Sequence, residues 1–417
     1  MKRYLTLILP ICILLSCEKV NDAIVDNSYL WIPIVEIIKG DGKATLFLTN
    51  PAPFSNCAPP CPSNPDYFKI MISDDLQHFS LYKIVNNSTS NVLIENLTND
   101  KPYYFLVTSH KEKFDVISIS DTLMTIPSEE SNLEPYLTTI NYSVKKLSTS
   151  YDLSYISFKS NDYIDNYGKD MLYYKASVSN AISIVEENAY NPGWSKTKNQ
   201  FVYLTSKQEG VVTYPFLLKL FDAETKISTT LFEIQYDDYY VINPTFKPDG
   251  ETITFFSSKG NSDIYTYDLW KINPVTKEQT KITNFEAIGF ITDSKYEWIA
   301  SGEEIYLEGR YIKSNKNDIY KFNISTKLLI PVIKSCWEER TPFPSPDNTK
   351  IAFISDRTGN DELWIYELVN SKYKQVTGES SYDFDSRYSY IQWLNNDQIL
   401  ITVFKDIKSI AVKINVN

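Results

Sequence analysis

Histidine is nearly absent from this chain, and so are the motifs that mark the common catalytic sites. Two histidines, His78 and His110, occur among 417 residues, and glycine is rare at 12. This shortage limits histidine-based catalysis and histidine-rich metal sites. No nucleophile elbow, glycine-rich phosphate loop or zinc-protease motif occurs in the sequence. Basic residues number 41 against 52 acidic ones, so a net charge of −11 disfavours nucleic acid as a partner. The sequence predicts no catalytic residues, metal or cofactor.

Long apolar runs are missing as well. Residues 4–15 are apolar and follow a short basic start, but a membrane-spanning helix needs about 20 residues. The run is typical of a secretory signal peptide. It ends in Leu14-Leu15-Ser16-Cys17, which resembles the lipobox of bacterial lipoproteins. That resemblance implies a signal peptide over 1–16, lipid attachment at Cys17 and a polar tether over 17–29. An ordinary signal peptide with an incidental cysteine is the alternative.

Cysteine is scarce, and export would place the cysteines in an oxidising compartment. The sequence holds five cysteines, and Cys12 would leave with the signal peptide. Cys57 and Cys61 share a proline-rich segment, where a local disulfide is the prediction for an oxidising envelope and a metal pair is the rival. Cys336 is left over, and we expect it to be a buried apolar residue.

Short strand-like runs separated by polar turns fill residues 30–128. Six or seven such runs in about 100 residues indicate an antiparallel sandwich. Leu97 followed six residues later by Tyr103 resembles fibronectin type III modules, whose tyrosine hydroxyl bonds back to the backbone. The early core tryptophan of that family is not at its usual place, so Phe47 or Leu48 must fill it. The resemblance implies a module that spaces or presents another domain.

The rest of the chain, residues 133–417, contains an internal repeat. A strand-like segment such as Asp268–Asn273 recurs about every 48 residues, which is typical of propeller blades. Proline-containing segments keep the same phase upstream, for example Asn243-Pro244 and Thr341-Pro342. Such a unit cannot bury both faces alone, so six units predict a closed ring. The copies begin at residues 170, 216, 268, 318, 362 and 409.

These units resemble the WD-like repeats of the TolB family, most sharply at Pro244 and Pro342. The resemblance implies a six-bladed β-propeller, so the expected fold is all-β, a fibronectin type III-like sandwich followed by that propeller. A closed ring needs its two ends to meet. We expect a strand within residues 136–146 to complete the last blade by pairing with the C-terminal strand.

Three tyrosine-rich or acidic segments precede blade openings, where connections line one face and the channel mouth. Aromatic rings stack on sugars and carboxylates bond their hydroxyls, although tyrosine packing between blades is the simpler interpretation. These segments are the predicted ligand-facing rim, namely Tyr236, Asp237, Asp238, Tyr239, Trp337, Glu338, Glu339, Arg340, Tyr382, Asp383 and Asp385.

Together these features predict a lipid-anchored, non-catalytic scaffold of a Gram-negative envelope. It would sit at the outer membrane through Cys17, with the propeller binding an envelope protein or peptide. TolB-type propellers contact partner lipoproteins, which the resemblance implies here. The alternative is a surface lipoprotein that binds or processes a glycan through the aromatic and acidic rim.

Overall fold

The computed structural model consists of strands joined by turns. One short 3₁₀ helix, Glu286–Ile288, is the single helical element of the described residues. The all-β class is therefore confirmed. The structure describes residues 30, 33–49, 64–111, 117–129, 133–136, 144–160, 171–179, 181–209, 212–234, 240–259, 261, 266–292, 295–378, 391–405 and 408–416.

Two sheets near the N-terminus pack on one core. Their strands are β1 (Ile34–Gly40), β2 (Lys43–Thr49), β3 (Tyr67–Ser73), β4 (Ser80–Asn86), β5 (Asn91–Ile94), β6 (Tyr103–His110), β7 (Ile117–Ile119) and β8 (Leu123–Thr125). The orders are β1-β2-β5 and β4-β3-β6-β7, with β8 also paired to β6. Alternate side chains point inward, and Leu46 and Phe68 are fully buried in the shared core. Leu48 is also in this core, as one of the two residues expected to replace the missing tryptophan. We call these two sheets the N-terminal module.

Tyr103 makes the backbone contact that the resemblance to fibronectin type III modules implies. Its hydroxyl accepts a hydrogen bond of 3.0 Å from the backbone N–H of Thr98. The contact fixes the turn that leads into β6 and orients the polar end of a ring whose body packs on the core of the N-terminal module.

Six further antiparallel sheets follow in the described residues, in the order of the chain. Five of them are β10-β11-β12-β13, β14-β15-β16-β17, β18-β19-β20-β21, β22-β24-β25-β26 (with β23 beside β24) and β27-β28-β29-β30. The sixth is β31-β32-β33-β9. The strands are β9 (Leu133–Pro135), β10 (Lys145–Thr149), β11 (Tyr155–Ser160), β12 (Met171–Ala176), β13 (Ile182–Glu187), β14 (Ala189–Trp194), β15 (Gln200–Glu209), β16 (Val212–Asp222), β17 (Ile227–Ile234), β18 (Val241–Phe246), β19 (Ile253–Ser257), β20 (Asp268–Ile272), β21 (Gln279–Lys281), β22 (Phe290–Ile291), β23 (Tyr296–Trp298), β24 (Glu304–Tyr311), β25 (Asp318–Asn323), β26 (Leu329–Ile333), β27 (Glu339–Pro344), β28 (Lys350–Ser355), β29 (Glu362–Glu367), β30 (Lys372–Gln375), β31 (Ile391–Asn395), β32 (Gln398–Lys405) and β33 (Lys408–Asn415).

Each of these six sheets shares a buried apolar cluster with the next one. Phe201 belongs to the cluster between the first and second sheets, and Phe255 to the one between the second and third. The same holds for the later neighbours. Leu400 of the sixth sheet packs with Phe158 of the first, so the contacts run in a closed cycle. A closed cycle removes the unpaired faces that an open stack would leave.

The ring is joined by its two chain ends, as expected, but with a different strand. β9 pairs with β33, with Ile414 opposite Leu133 and Val412 opposite Pro135. The prediction of a strand within residues 136–146 was wrong for the strand itself, which ends at Pro135, although Tyr136 and Val144 of that range also donate backbone hydrogen bonds to β33. Tyr136 continues the ladder through its N–H to Ala411 O (2.9 Å), and β10 already belongs to the first sheet.

The recurring sequence segment is the third strand of each sheet, and its leading acid has a structural role. Asp268, at the start of β20, accepts hydrogen bonds from the Thr283 hydroxyl (2.8 Å) and the Phe285 N–H (2.5 Å). Asp318 accepts from the Ser335 N–H at 3.0 Å in the same way. These acids fix the chain where it leaves an outer strand. Burial raises the pKa of Asp318 to about 6.

Candidate functional site

Most of the predicted rim lies outside the described residues. This applies to Tyr236, Asp237, Asp238 and Tyr239, and to Tyr382, Asp383 and Asp385. It also applies to Cys17, Cys57 and Cys61, so the predicted lipid site and local disulfide stay predictions.

The third rim segment, Trp337 to Arg340, is described, and half of it is not open to a ligand. Trp337 is 9% exposed and Glu339 is fully buried. The indole N–H of Trp337 donates to the backbone oxygen of Thr122 at 2.8 Å, in the N-terminal module. The ligand-facing assignment does not fit these two residues, because Trp337 is bonded to the N-terminal module and Glu339 is buried against Arg357. Glu338 and Arg340 remain partly exposed.

Arg357 organises the buried half of this segment. Its guanidinium pairs with Glu339 at 2.6 Å while both side chains are almost fully buried. Aromatic rings surround the same cation, with the Tyr373 ring centroid 4.1 Å away and the Trp337 centroid 5.1 Å away. The guanidinium group is delocalised and weakly hydrated, so it can form an ion pair with a carboxylate and stack on aromatic rings at the same time. The cluster is therefore a structural ion pair within the fifth sheet.

The N-terminal module docks on the fifth sheet around Arg357. The Met124 N–H donates to the Arg357 backbone oxygen at 2.6 Å, and the Ile37 N–H donates to Thr358 O at 2.8 Å. Gln375 accepts from the Thr125 hydroxyl at 2.8 Å. We call this contact between β1, β8 and the fifth sheet the junction. Backbone, buried side chains and an apolar core shared with Met124 all contribute to it.

A cavity of about 80 Å³ lies among the sheets of the ring, and we call it the central channel. The innermost strand of every sheet in the ring lines it. Each sheet contributes one residue at an equivalent register position of that strand. These six are Ser148, Gly193, Thr245, Glu297, Phe343 and Gln392.

A recurring β-bulge shapes the channel wall. Asn191, Asn243 and Thr341 each precede a proline and have positive φ values of 54°, 48° and 52°. The ladder shifts register at each of these three points. Asparagine tolerates this conformation, and a bulge re-aims the neighbouring side chains. The Asn191 amide accordingly lies 3.4 Å from the Asn243 amide oxygen beside the channel.

The fourth sheet departs from this pattern and contributes charged side chains to the channel wall. It has Lys295 where the second and third sheets have Asn191 and Asn243, and Glu297 two residues later. Burial lowers the pKa of Lys295 to about 8, although Glu308 and Glu297 oppose the shift. Burial raises the pKa of Glu297 to about 7, against the pull of Lys196 and Lys295. Lys196 also lines the channel, so one carboxylate and two amines meet there.

Sequence reasoning missed these three channel residues. The position within the repeat was a usable signal for Glu297. Gly302 lies as many residues after Glu297 as Gly250 lies after Thr245. Both glycines have φ of 70°, in matching turns. A charged residue at the proline-motif position of one repeat marks a departure from the structural pattern, and such departures concentrate at functional sites.

The pH dependence of stability tests the environment of Glu297. An acid whose pKa is raised from 4.5 to about 7 on folding stabilises the fold below pH 4.5, and this contribution is lost as the pH rises to about 7. We expect Glu297→Gln to flatten the fall in melting temperature between pH 4.5 and 7. Thermal melts at half-unit pH steps measure this, with Glu303→Gln as the matched control. Identical pH profiles for wild type and Glu297→Gln would contradict the assignment.

Within the described residues, no helix has the length and apolarity needed to cross a membrane. No group of three or more histidine, cysteine, aspartate or glutamate side chains is placed to hold a metal ion within that part of the chain.

A ring of antiparallel sheets around a central channel, with these repeats, is a TolB-like β-propeller fold. The chain is 29% identical over 143 residues to the Tol-Pal system protein TolB of Francisella tularensis subsp. mediasiatica (strain FSC147). The matched segment covers 34% of this chain and 30% of that relative, so the chain spans less than a third of its length. No protein-family model matches the chain.

Solved structures are similar to this chain at low identity. TolB from Acinetobacter baumannii has a TM-score of 0.46 and 10% identity, covering 83% of this chain and 80% of that one. Oligogalacturonate lyase from Vibrio parahaemolyticus has a TM-score of 0.46 and 11% identity, covering 92% of each chain. The prediction that this chain is not an enzyme, which rested on the lack of a catalytic constellation in the sequence, is contradicted, because the similar solved structures include enzymes.

Proposed function

We propose that this protein binds a protein partner in the bacterial cell envelope through its propeller. The observation that carries the proposal is the similarity over 143 residues to a Tol-Pal system protein. The closed ring supports it, because a ring of paired strands holds its channel wall rigidly and a preformed surface loses little entropy on binding.

We place the partner at the channel end that carries Lys196. Its side chain is exposed while also lining the channel, so a partner can reach it. Lys295 and Glu297 line the same channel and burial shifts their pKa values, so the channel offers an incoming polar group charges of both signs. The fifth sheet is a poorer surface because the N-terminal module already covers part of it.

Affinity purification with matched variants tests this proposal. Tagged full-length protein is captured from solubilised envelopes as wild type, Lys196→Glu and Lys198→Glu. Lys198 is also exposed, two residues away, but does not line the channel. We expect one co-purifying protein, reduced about tenfold or more by Lys196→Glu and unchanged by Lys198→Glu. Equal capture by both variants, or binding of sugars without any protein, would contradict the proposal.

The domain boundaries that we propose are those expected from the sequence. We propose a signal peptide over 1–16, a tether over 17–29, a fibronectin type III-like module over 30–128 and a six-bladed propeller over 133–417. The Tyr103–Thr98 contact and the sheet orders β1-β2-β5 and β4-β3-β6-β7 support the module. The six sheets packed in a cycle support the blade number.

Lipid attachment at Cys17 is the proposed anchor to the outer membrane. In cells fed a radiolabelled or clickable fatty acid, we expect label on the wild type and none on Cys17→Ser. The variant should move from the membrane to the soluble fraction, because acyl chains supply the membrane affinity. Cys12→Ser is the matched control and should keep the label. Label retained by Cys17→Ser would show that the acyl group is elsewhere.

A further inference from the structure

The channel wall has the opposite charge balance to the chain as a whole. The chain has 41 basic and 52 acidic residues, which gives a net charge of −11. The charged residues among the described channel lining are two lysines, Lys196 and Lys295, and one acid, Glu297. An anionic group is therefore repelled by the average surface of this protein and attracted by the channel.

The two lysines come from different sheets and act on the same point of the channel. Lys196 is exposed in the turn after β14, and Lys295 is partly buried directly before β23. Burial raises the pKa of Glu297, and the charges of both lysines oppose that shift, so both ammonium groups lie within electrostatic reach of this carboxyl. Glu308 also acts on Lys295, but it does not line the channel, and its carboxylate accepts the Thr341 N–H at 2.6 Å.

Neutral hydrogen-bonding side chains surround these charges. Asn191 and Asn243 contribute amides to the wall, and the Asn191 amide nitrogen is 3.4 Å from the Asn243 amide oxygen. Ser148 and Thr245 contribute hydroxyls at equivalent positions of their strands. A carboxylate that leaves water needs several donors at once, and ammonium, amide and hydroxyl groups supply them here.

The volume of the channel limits the size of the group that enters. Its 80 Å³ corresponds to about six water molecules at 10–15 Å³ each. A carboxylate with its adjoining methylene group fits that space, whereas a folded element of a partner does not. The channel is therefore suited to one side chain or one chain terminus.

We propose that the channel receives a single carboxylate of the partner protein, an acidic side chain or the carboxyl terminus, through Lys196 and Lys295. This inference rests on the proposed function and names the group that the channel recognises. Glu297 favours a group with one negative charge, because a phosphate carries nearly two and is repelled more strongly by the carboxylate already present.

Binding of the carboxylate should weaken as the pH rises. Burial raises the pKa of Glu297 to about 7 and lowers that of Lys295 to about 8, although Glu308 opposes the second shift. A rising pH therefore adds a negative charge at Glu297 and removes a positive charge at Lys295. Both changes reduce the attraction for an anion. We expect affinity to be about fivefold or more lower at pH 8.5 than at pH 6.

Titration of the purified full-length protein with small model compounds tests the proposal. N-acetylglycine carries a terminal carboxylate, the α-amide of N-acetylaspartate carries a side-chain carboxylate, and N-acetylglycinamide is the neutral control. Saturation-transfer NMR measures binding of each compound. We expect saturable binding of at least one carboxylate compound and none of the neutral one, and the tighter carboxylate compound identifies the source. No binding of either carboxylate, or equal binding of the neutral compound, would overturn the proposal.

Matched variants locate the bound carboxylate in the channel. Lys196→Met should lower the affinity about tenfold, because it removes one of the two cations. Lys198→Met should leave it unchanged, because Lys198 is exposed nearby but does not line the channel. Glu297→Gln should raise the affinity above pH 7 and flatten its pH dependence. Equal affinities of Lys196→Met and the wild type would place the carboxylate elsewhere and reject the proposal.

The outcomes separate this proposal from the one on which it rests. A captured protein partner, together with no binding of either carboxylate compound, rejects the carboxylate and keeps the partner. Binding of a carboxylate compound that Lys196→Met weakens, with no protein captured from envelopes, keeps the carboxylate site and rejects the protein partner.

Discussion

Arg357→Ala is expected to destabilise the protein by about 3–5 kcal/mol, because it leaves the Glu339 carboxylate buried without its cation. The pair is 2.6 Å apart and both side chains are almost fully buried. One Glu339 oxygen has no hydrogen-bond partner among the described atoms, and the other accepts from Arg357 and the Ser335 hydroxyl, so without Arg357 one neutral donor remains. Urea unfolding monitored by tryptophan fluorescence measures the loss.

A matched control separates the buried pair from an ordinary ion pair. Arg340 contacts Asp361 at 2.9 Å but both side chains remain partly exposed. Arg340→Ala should therefore cost about 1 kcal/mol or less. The double variant Arg357→Met with Glu339→Gln should recover most of the stability lost in Arg357→Ala, since no buried charge remains unpaired. Equal losses for Arg357→Ala and Arg340→Ala would contradict the role assigned to Arg357.

Deleting residues 407–417 should have a larger effect still. The deletion removes β33, which pairs with β32 on one side and with β9 on the other. Ala411, Val412 and Ile414 on that strand are 0–3% exposed and pack in the cores shared with the first and fifth sheets. Losing them opens the ring and exposes two adjacent cores, so we expect the melting temperature to fall by more than about 10 °C or the protein not to fold.

The control for the deletion is Lys413→Ala on the same strand. Lys413 pairs with Glu134 at 2.9 Å, and both side chains are partly solvent-exposed. Its substitution should shift the melting temperature little. A deletion variant that melts like the wild type would show that the ring does not depend on this closure.

Much of the fold could be predicted from the sequence because the internal repeat shows where equivalent strands of the successive sheets lie. Each recurring segment, such as Asp268–Asn273, coincides with the third strand of a sheet, and the acids Asp268 and Asp318 that open two of them bond within their own repeat. Tyr103 was predictable for the same reason, since its contact partner is five residues away. The exact closing strand was not, because β9 is only three residues long and its pairing is set by β33 at the other end of the chain.

The site was harder to predict because its contacts are long-range. Trp337 and Glu339 have the composition of an exposed binding rim, yet Arg357 and the module residue Thr122 bury them. No residue near Trp337 in the sequence indicates that Arg357 or Thr122 will contact this segment. Lys295 and Glu297 were missed because the fourth repeat lacks the proline motif, and the glycine spacing that aligns them with Asn243 and Thr245 is a weak signal until the register of the folded sheets is known.

Photo-crosslinking in living cells tests the central claim, that the channel end is where a partner protein binds. A photoreactive amino acid replaces Lys196 in one strain and Lys198 in another, and crosslinked species are separated by mass after irradiation. The account predicts one discrete protein adduct from position 196 and none from position 198. No adduct at position 196, or the same adduct from both positions, would contradict it.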